Sequence, residues 1–234
     1  MRAPDGAPSP EPSEQQLQAA GRDAARADFC RYLAACYYQP DAAFGEERLF
    51  DSMVAAAARL DDGLTGFARQ MGEAYAALPL QDLLVDYTRL FVGPVQAAAK
   101  PYASVWLRRG ENQLMTEVSE AVRAMYAEGG FELADDFQEL PDHAAAELEF
   151  LYLLIHRGNV ARWSGDAPVL QQVEALRRRF LEQHLGLWLG PFLLAMHDAA
   201  QTPFYEALAE ATEAFVRAEA RRADGDATGA ALAD

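Results

Sequence analysis

The chain has 234 residues, 51% of them hydrophobic, so it can bury a sizeable core and is neither a disordered nor a fibrous polymer. Its formal charge of -16, from 36 acidic against 20 basic residues, repels nucleic-acid phosphate at every approach. A basic ligand is the electrostatic complement, although the same charge also serves solubility.

Residues 1–16 are rich in Pro, Ser, Glu and Gln and predict a disordered N-terminal tail. Residues 1–28 carry Pro, Glu and Gln where the apolar region of a secretory signal would stand, which points to the cytoplasm. Helical spacing then begins with Phe29, Leu33, Cys36 and Tyr37. Cys30 and Cys36 are the only cysteines, six apart on this predicted helix; they point in different directions and fit a reducing compartment.

The stripe continues in Leu49, Phe50, Met53, Val54, Ala57 and Leu60, then in Phe67, Met71, Tyr75 and Leu78, then in Leu83, Leu84, Tyr87, Leu90 and Phe91. After Leu114, Val118, Val122 and Met125 it returns in Leu148, Leu151 and Ile155 and in Val169, Val173, Leu176 and Phe180. It ends with Trp188, Phe192 and Met196, and with Phe204, Leu208, Ala211 and Phe215. Breaks fall at Pro40, Asp61 to Gly63, Pro79, Gly93 to Pro101, Gly129 with Gly130, Gly165 to Pro168, and Pro203. Strand alternation is absent and no repeat period survives. The pattern predicts an all-α chain, a single irregular bundle of about ten helices over residues 17–221, with a second tail over 222–234.

The apolar run Leu185 to Met196 is interrupted by Gly190 and Pro191 and is too short to cross a bilayer, so stable membrane insertion is not expected. Arg177, Arg178 and Arg179 form the only basic run, read as a solvated helix face. No glycine-rich phosphate loop occurs, since Gly129 and Gly130 are followed by Phe131 and Glu132.

Two segments stand out as candidate sites. Leu90 to Trp106 is the longest mid-chain interruption of helical periodicity, and Tyr102 and Trp106 within it share a face if the chain is helical from Ala103; the same spacing also suits two rings plugging the core. In the second, Glu139-Leu140-Pro141-Asp142-His143 precedes an apolar run and marks a helix start. There His143 and Glu147, four apart, form a hydrogen-bonded pair or two ligands of a metal. His156, His184 and His197 supply no recognisable third and fourth ligand, so neither a metal site nor a catalytic set is assigned.

Three blocks in order resemble the TorD/DmsD family of chaperones for molybdenum enzymes, the redox enzyme maturation proteins. They are DYTRLFVGP with KPYASVW, ELPDHAAAELEF, and HLGLWLGPFLLAM followed by TPFYEALAEAT, spread over most of residues 28–220. The resemblance implies an all-helical, non-enzymatic chaperone without a cofactor of its own, monomeric or dimeric. Its partner would be the apo form of a molybdenum oxidoreductase catalytic subunit, held by a twin-arginine leader peptide until its cofactor is inserted.

Carried over residue by residue, Pro101, Tyr102, Ser104, Trp106, Pro141, Asp142 and His143 line the peptide groove; Glu147 is added from helical spacing. Val95 and Tyr102 stand where some relatives have tryptophan, which shrinks the aromatic surface. A nitrate-reductase-delta-type chaperone for a non-exported enzyme is the near alternative. A helical metal-dependent hydrolase using His143 and Glu147 is the distant one.

Overall fold

A computed structural model describes residues 13–93, 97–107, 117–134, 137 and 139–231. Val95, Leu114 and the outer tails, 1–12 and 232–234, lie outside the described residues. The elements are α1 (Glu14–Ala35), α2 (Ala43–Glu46), α3 (Leu49–Ala57), α4 (Asp62–Ala77), α5 (Leu80–Tyr87), α6 (Ala103–Leu107) and α7 (Glu117–Glu128). They continue with α8 (Ala144–Ser164), α9 (Ala167–Phe180), α10 (Gly186–Ala199) and α11 (Pro203–Ala231). Two π-helical turns complete the set: π1 (Thr88–Val92) extends α5, and π2 (Leu181–Leu185) joins α9 directly to α10. No strand occurs among the described residues, in agreement with the all-α expectation.

Caps set where the helices start. Ser13 accepts from the Gln16 amide while the Gln16 side chain accepts from the Ser13 amide, so α1 begins inside the stretch expected to be tail. The other expected boundary moves too. Alanines at 218, 220, 223 and 227 carry strong helix propensity, and the backbone stays helical past 222 to Ala231. Asp61 caps α4 through the Gly63 and Leu64 amides, and Gly165 closes α8 at φ 72, a conformation that favours glycine.

In π2 the widened turn brings the Leu181 carbonyl to 2.5 Å from where a Cβ on residue 186 would sit. Only glycine fits there, a local reason for the Gly of HLGLW. Helix α10 then passes through Gly190 and Pro191 without a break. Both are exposed, so the carbonyl freed by the missing proline N–H belongs to the solvent-facing Leu187. Among the described residues no helix is long and apolar enough to cross a membrane.

The core sits where α1 packs on α8, α3 and α11, with α4 and α10 against α11. Phe29 meets Phe215 at 5.4 Å, Phe150 meets Phe180 at 5.0 Å, and Phe192 links Tyr37 to Trp188. Cys30 and Cys36 are both free thiols in this core.

Arg177 departs from the sequence reading: its side chain is 1% exposed. It follows Val173 by four and precedes Phe180 by three, so it shares their inward face, whereas Arg178 and Arg179 remain partly exposed. Its guanidinium reaches Glu174 at 2.7 Å and Glu219 at 2.9 Å. Arg26 grips Glu219 from the other side with bonds of 2.8 and 2.6 Å, tying α1, α9 and α11 together. Burial alone would raise the Glu219 carboxyl, but the two guanidiniums outweigh it and hold it below the usual carboxylate range. Removing one arginine leaves buried charge under-compensated, so Arg177→Ala is expected to cost about 3 kcal/mol in chemical denaturation. A change within about 0.5 kcal/mol, typical of a surface arginine, would show that the cluster is not a structural tie.

Candidate functional site

The two segments singled out in the sequence meet. The stretch after π1 folds back on it, the Ala99 amide donating to the Leu90 carbonyl at 2.8 Å. This presents Pro101 to Tyr102 alongside the start of α8, where Tyr102 and His143 form an isolated antiparallel bridge. The Ala103 amide donates to the Asp142 carbonyl at 3.0 Å and the Ala144 amide to the Pro101 carbonyl at 2.8 Å. Asp142 is wholly buried; its Oδ2 accepts from the Ser104 amide at 2.9 Å and its Oδ1 from the Ser119 hydroxyl at 2.7 Å. One carboxylate therefore fixes α6 and α7 to the mouth of α8. Tyr126 adds a bond from its hydroxyl to the Pro141 carbonyl at 2.7 Å.

His143 is the N-cap of α8, its Nδ1 accepting from the Ala145 amide at 3.1 Å. That acceptance assigns the proton to Nε2 and a neutral ring. Burial pushes its pKa down to about 4, against the opposing pull of Glu139 and Asp142. Two tyrosines flank the ring, Tyr38 stacked at 6.0 Å and Tyr102 edge-on at 5.1 Å. The Tyr38 hydroxyl donates to Glu149 at 3.0 Å and the Tyr102 hydroxyl to Glu139 at 2.8 Å. Burial, then these carboxylates, push both phenols above their ordinary value; burial and Glu139 raise Tyr87 to about 12.

Glu147 does not pair with His143. It is wholly buried and accepts from His184 Nε2 at 2.7 Å and from the Trp188 indole at 2.9 Å, linking α8 to π2 and α10. The i, i+4 expectation fails because His143, at φ -72 and ψ 140, stands outside the helix as its cap. The two ligands proposed for a hydrolase thus belong to different networks. Among the described residues no three His, Cys, Asp or Glu side chains gather as a metal site.

Of the remaining expected groove residues, Tyr102 and Trp106 are half-buried and reach the surface. The Trp106 indole donates to the Lys100 carbonyl at 2.8 Å and its ring lies 6.1 Å from Phe192. Pro101, Ser104 and Pro141 are buried, as is His143 at 2% exposure. They shape the site from beneath. Tyr38, Tyr87 and Glu149, none of them expected as site residues, belong to it, and Glu139, read from the sequence only as part of a helix start, is central. Glu149 left one signal, a second carboxylate two residues after Glu147 in AAAELEF and so on another face of the helix; it is the only residue from 141 to 150 that is not buried.

Burial would lower His184 and raise Glu147; the carboxylate outweighs burial at His184, so both stand above their ordinary values. The shared proton's contribution to stability is fully present below the ordinary histidine value of about 6.5 and is lost as pH rises through the raised one. Calorimetric melting between about pH 6 and pH 9 is expected to show the wild type losing stability more steeply than Glu147→Gln. Parallel curves would remove the shared proton from the account.

An all-helical bundle whose special geometry is an aromatic, acid-edged surface over a buried polar frame has the build of a binding protein. The family model described as nitrate reductase delta subunit matches residues 56–193. The chain belongs to this family. It is 27% identical over 146 residues to the chaperone protein TorD of Vibrio atlanticus, covering 62% of this chain and 66% of that one. It is 32% identical over 124 residues to the Tat proofreading chaperone DmsD of Salmonella typhimurium, covering 53% of each. These relatives are the chaperones that the three sequence blocks resemble. The chain spans 66% of the Vibrio atlanticus TorD and 60% of the one from Shewanella pealeana. A solved protein from Archaeoglobus fulgidus, described as a redox enzyme maturation protein, aligns over 85% of this chain and 93% of its own at a TM-score of 0.48 and 17% identity.

Proposed function

We propose that the chain is a cytoplasmic, non-enzymatic chaperone that binds the leader peptide of a molybdenum-containing oxidoreductase subunit, of the twin-arginine type. It would hold the apo subunit until the cofactor is in place and export can follow. The observation that carries this reading is the Tyr102–His143 junction, where half-exposed aromatic rings stand between two half-exposed carboxylates. Apolar burial against such rings supplies most of the affinity for a leader; the carboxylates and the chain's net charge of -16 supply attraction and orientation. The names of the TorD and DmsD relatives point the same way.

Burial divides the expected groove residues into two kinds. Tyr102 and Trp106 are open to touch a peptide, while Pro101, Ser104, Pro141, Asp142, His143 and Glu147 hold the surface in shape. The second reading, a chaperone for an enzyme that is not exported, is favoured by the description of the matching family model. Leaders with and without the arginine pair separate the two, and equal binding would favour the second.

Titration calorimetry of the whole chain with a twin-arginine leader is expected to show binding that weakens with salt. Joint Tyr102→Ala and Trp106→Ala replacement should cost about 2 kcal/mol of affinity, as loss of aromatic anchors does, with little change in melting temperature. Asp142→Asn should instead destabilise the fold by about 2 kcal/mol, since it replaces one of two charged acceptors by a donor. Wild-type affinity in the aromatic double variant would end the assignment.

A further inference from the structure

Glu139 and Glu149 have an arrangement that the fold does not use. Each spends one carboxylate oxygen on a tyrosine hydroxyl, and among the described residues no cation pairs with either. This contrasts with Asp23, Asp86, Glu174 and Glu219, which all pair with arginines of the chain. Both carboxylates are half-exposed, and both phenols that hold them belong to the rings flanking His143. The imidazole between those two rings is the next polar group of this surface. It is 2% exposed, its Nδ1 is committed to Ala145, and among the described residues nothing accepts from its Nε2–H. That N–H is therefore a donor that the fold itself leaves uncommitted.

Glu139 also lines a cleft of about 390 Å³ between α7 and the segment leading to α8. Its other walls include Tyr126, Phe131, Leu133, Phe137 and Pro141. Arg123 lines it too, without an ion pair to Glu139. Glu139 therefore stands at the junction of a polar station around His143 and an apolar recess.

We propose that Glu139 and Glu149 each receive one guanidinium of an extended peptide carrying two arginines. The His143 Nε2–H donates to a backbone carbonyl of the same peptide, and an apolar side chain beside the arginine at Glu139 enters the cleft. This rests on the leader-binding reading and assigns its charged contacts to residues beyond the sequence-derived set. The tyrosine bonds hold each carboxylate in one orientation before the ligand arrives, which limits the ordering cost of binding. Carboxylates with one oxygen free and no cation of their own suit guanidinium N–H donors.

The probe is a fluorescein-labelled synthetic peptide with an Arg-Arg pair followed by Phe and Leu, titrated with the full chain and read by anisotropy. Glu139→Gln and Glu149→Gln are each expected to weaken binding about tenfold, the loss of one charge-assisted contact. Each loss should shrink when one of the peptide arginines is replaced by glutamine, as a double-mutant cycle requires. Ala134→Trp, an exposed position lining the cleft, should weaken the parent peptide but not one with Ser in place of Phe and Leu. Glu213→Gln, an exposed site on α11, controls for net charge, and unchanged far-ultraviolet dichroism of each variant shows that it is folded. No binding by the wild-type chain overturns the leader reading and this inference together. Binding that ignores both Glu→Gln changes, or falls equally with Glu213→Gln, overturns the inference and leaves the leader reading standing.

Discussion

Asp142 is the constraint on which the rest of the site depends. Its carboxylate is closed to solvent, which carries a large desolvation cost, and that cost is offset only because an amide of α6 and a hydroxyl of α7 point at it. Once those bonds exist, the backbone of Pro101 to Ala103 must run beside that of Asp142 to Ala144. Tyr102 and His143, opposed across that bridge, then meet ring to ring.

The same device recurs wherever two of the characteristic sequence blocks meet. Asp86 of DYTRLF reaches across to accept from the Gln201 and Thr202 amides and the Thr202 hydroxyl, so a side chain of α5 caps the start of α11 in TPFYEA. Glu147 of AAAELEF accepts from His184 and Trp188 of HLGLW. Helices packed only through apolar stripes can slide by a turn at modest cost, whereas a buried carboxylate with two or three fixed donors allows one register. Buried acids here specify position, and the aromatic core supplies the bulk of the stability.

This explains what could and could not be read from the chain. Helical spacing, caps and breaks are local, so the elements and most of their limits were legible from residues such as Asp61, Pro79, Gly165 and Pro203. The meeting of the regions near 100 and 142 was legible through the block resemblance alone. Partners far apart in the chain left no local mark. Glu147 lies 37 residues from His184, and Arg177 lies 42 from Glu219, so local spacing assigns one to its near neighbour His143 and the other to a solvated run. Tyr38 and Glu149, 111 residues apart, were invisible for the same reason.

The neutral state of His143 decides the character of the surface above it. A charged imidazole between Tyr38 and Tyr102 would partly cancel Glu139 and Glu149 and repel a cationic ligand. Burial keeps the ring neutral down to about pH 4, and its bond from the Ala145 amide needs Nδ1 unprotonated. Capping the helix and leaving the carboxylates uncompensated are therefore one requirement, met by one residue. A lysine or arginine at 143 could offer no acceptor to the α8 amide, and an aspartate or asparagine there, though a good cap, would give no flat ring for the two tyrosines to pack on. Helix start and binding surface thus share a single choice of side chain, which ties the local rule for starting a helix to the chemistry of what the site can hold.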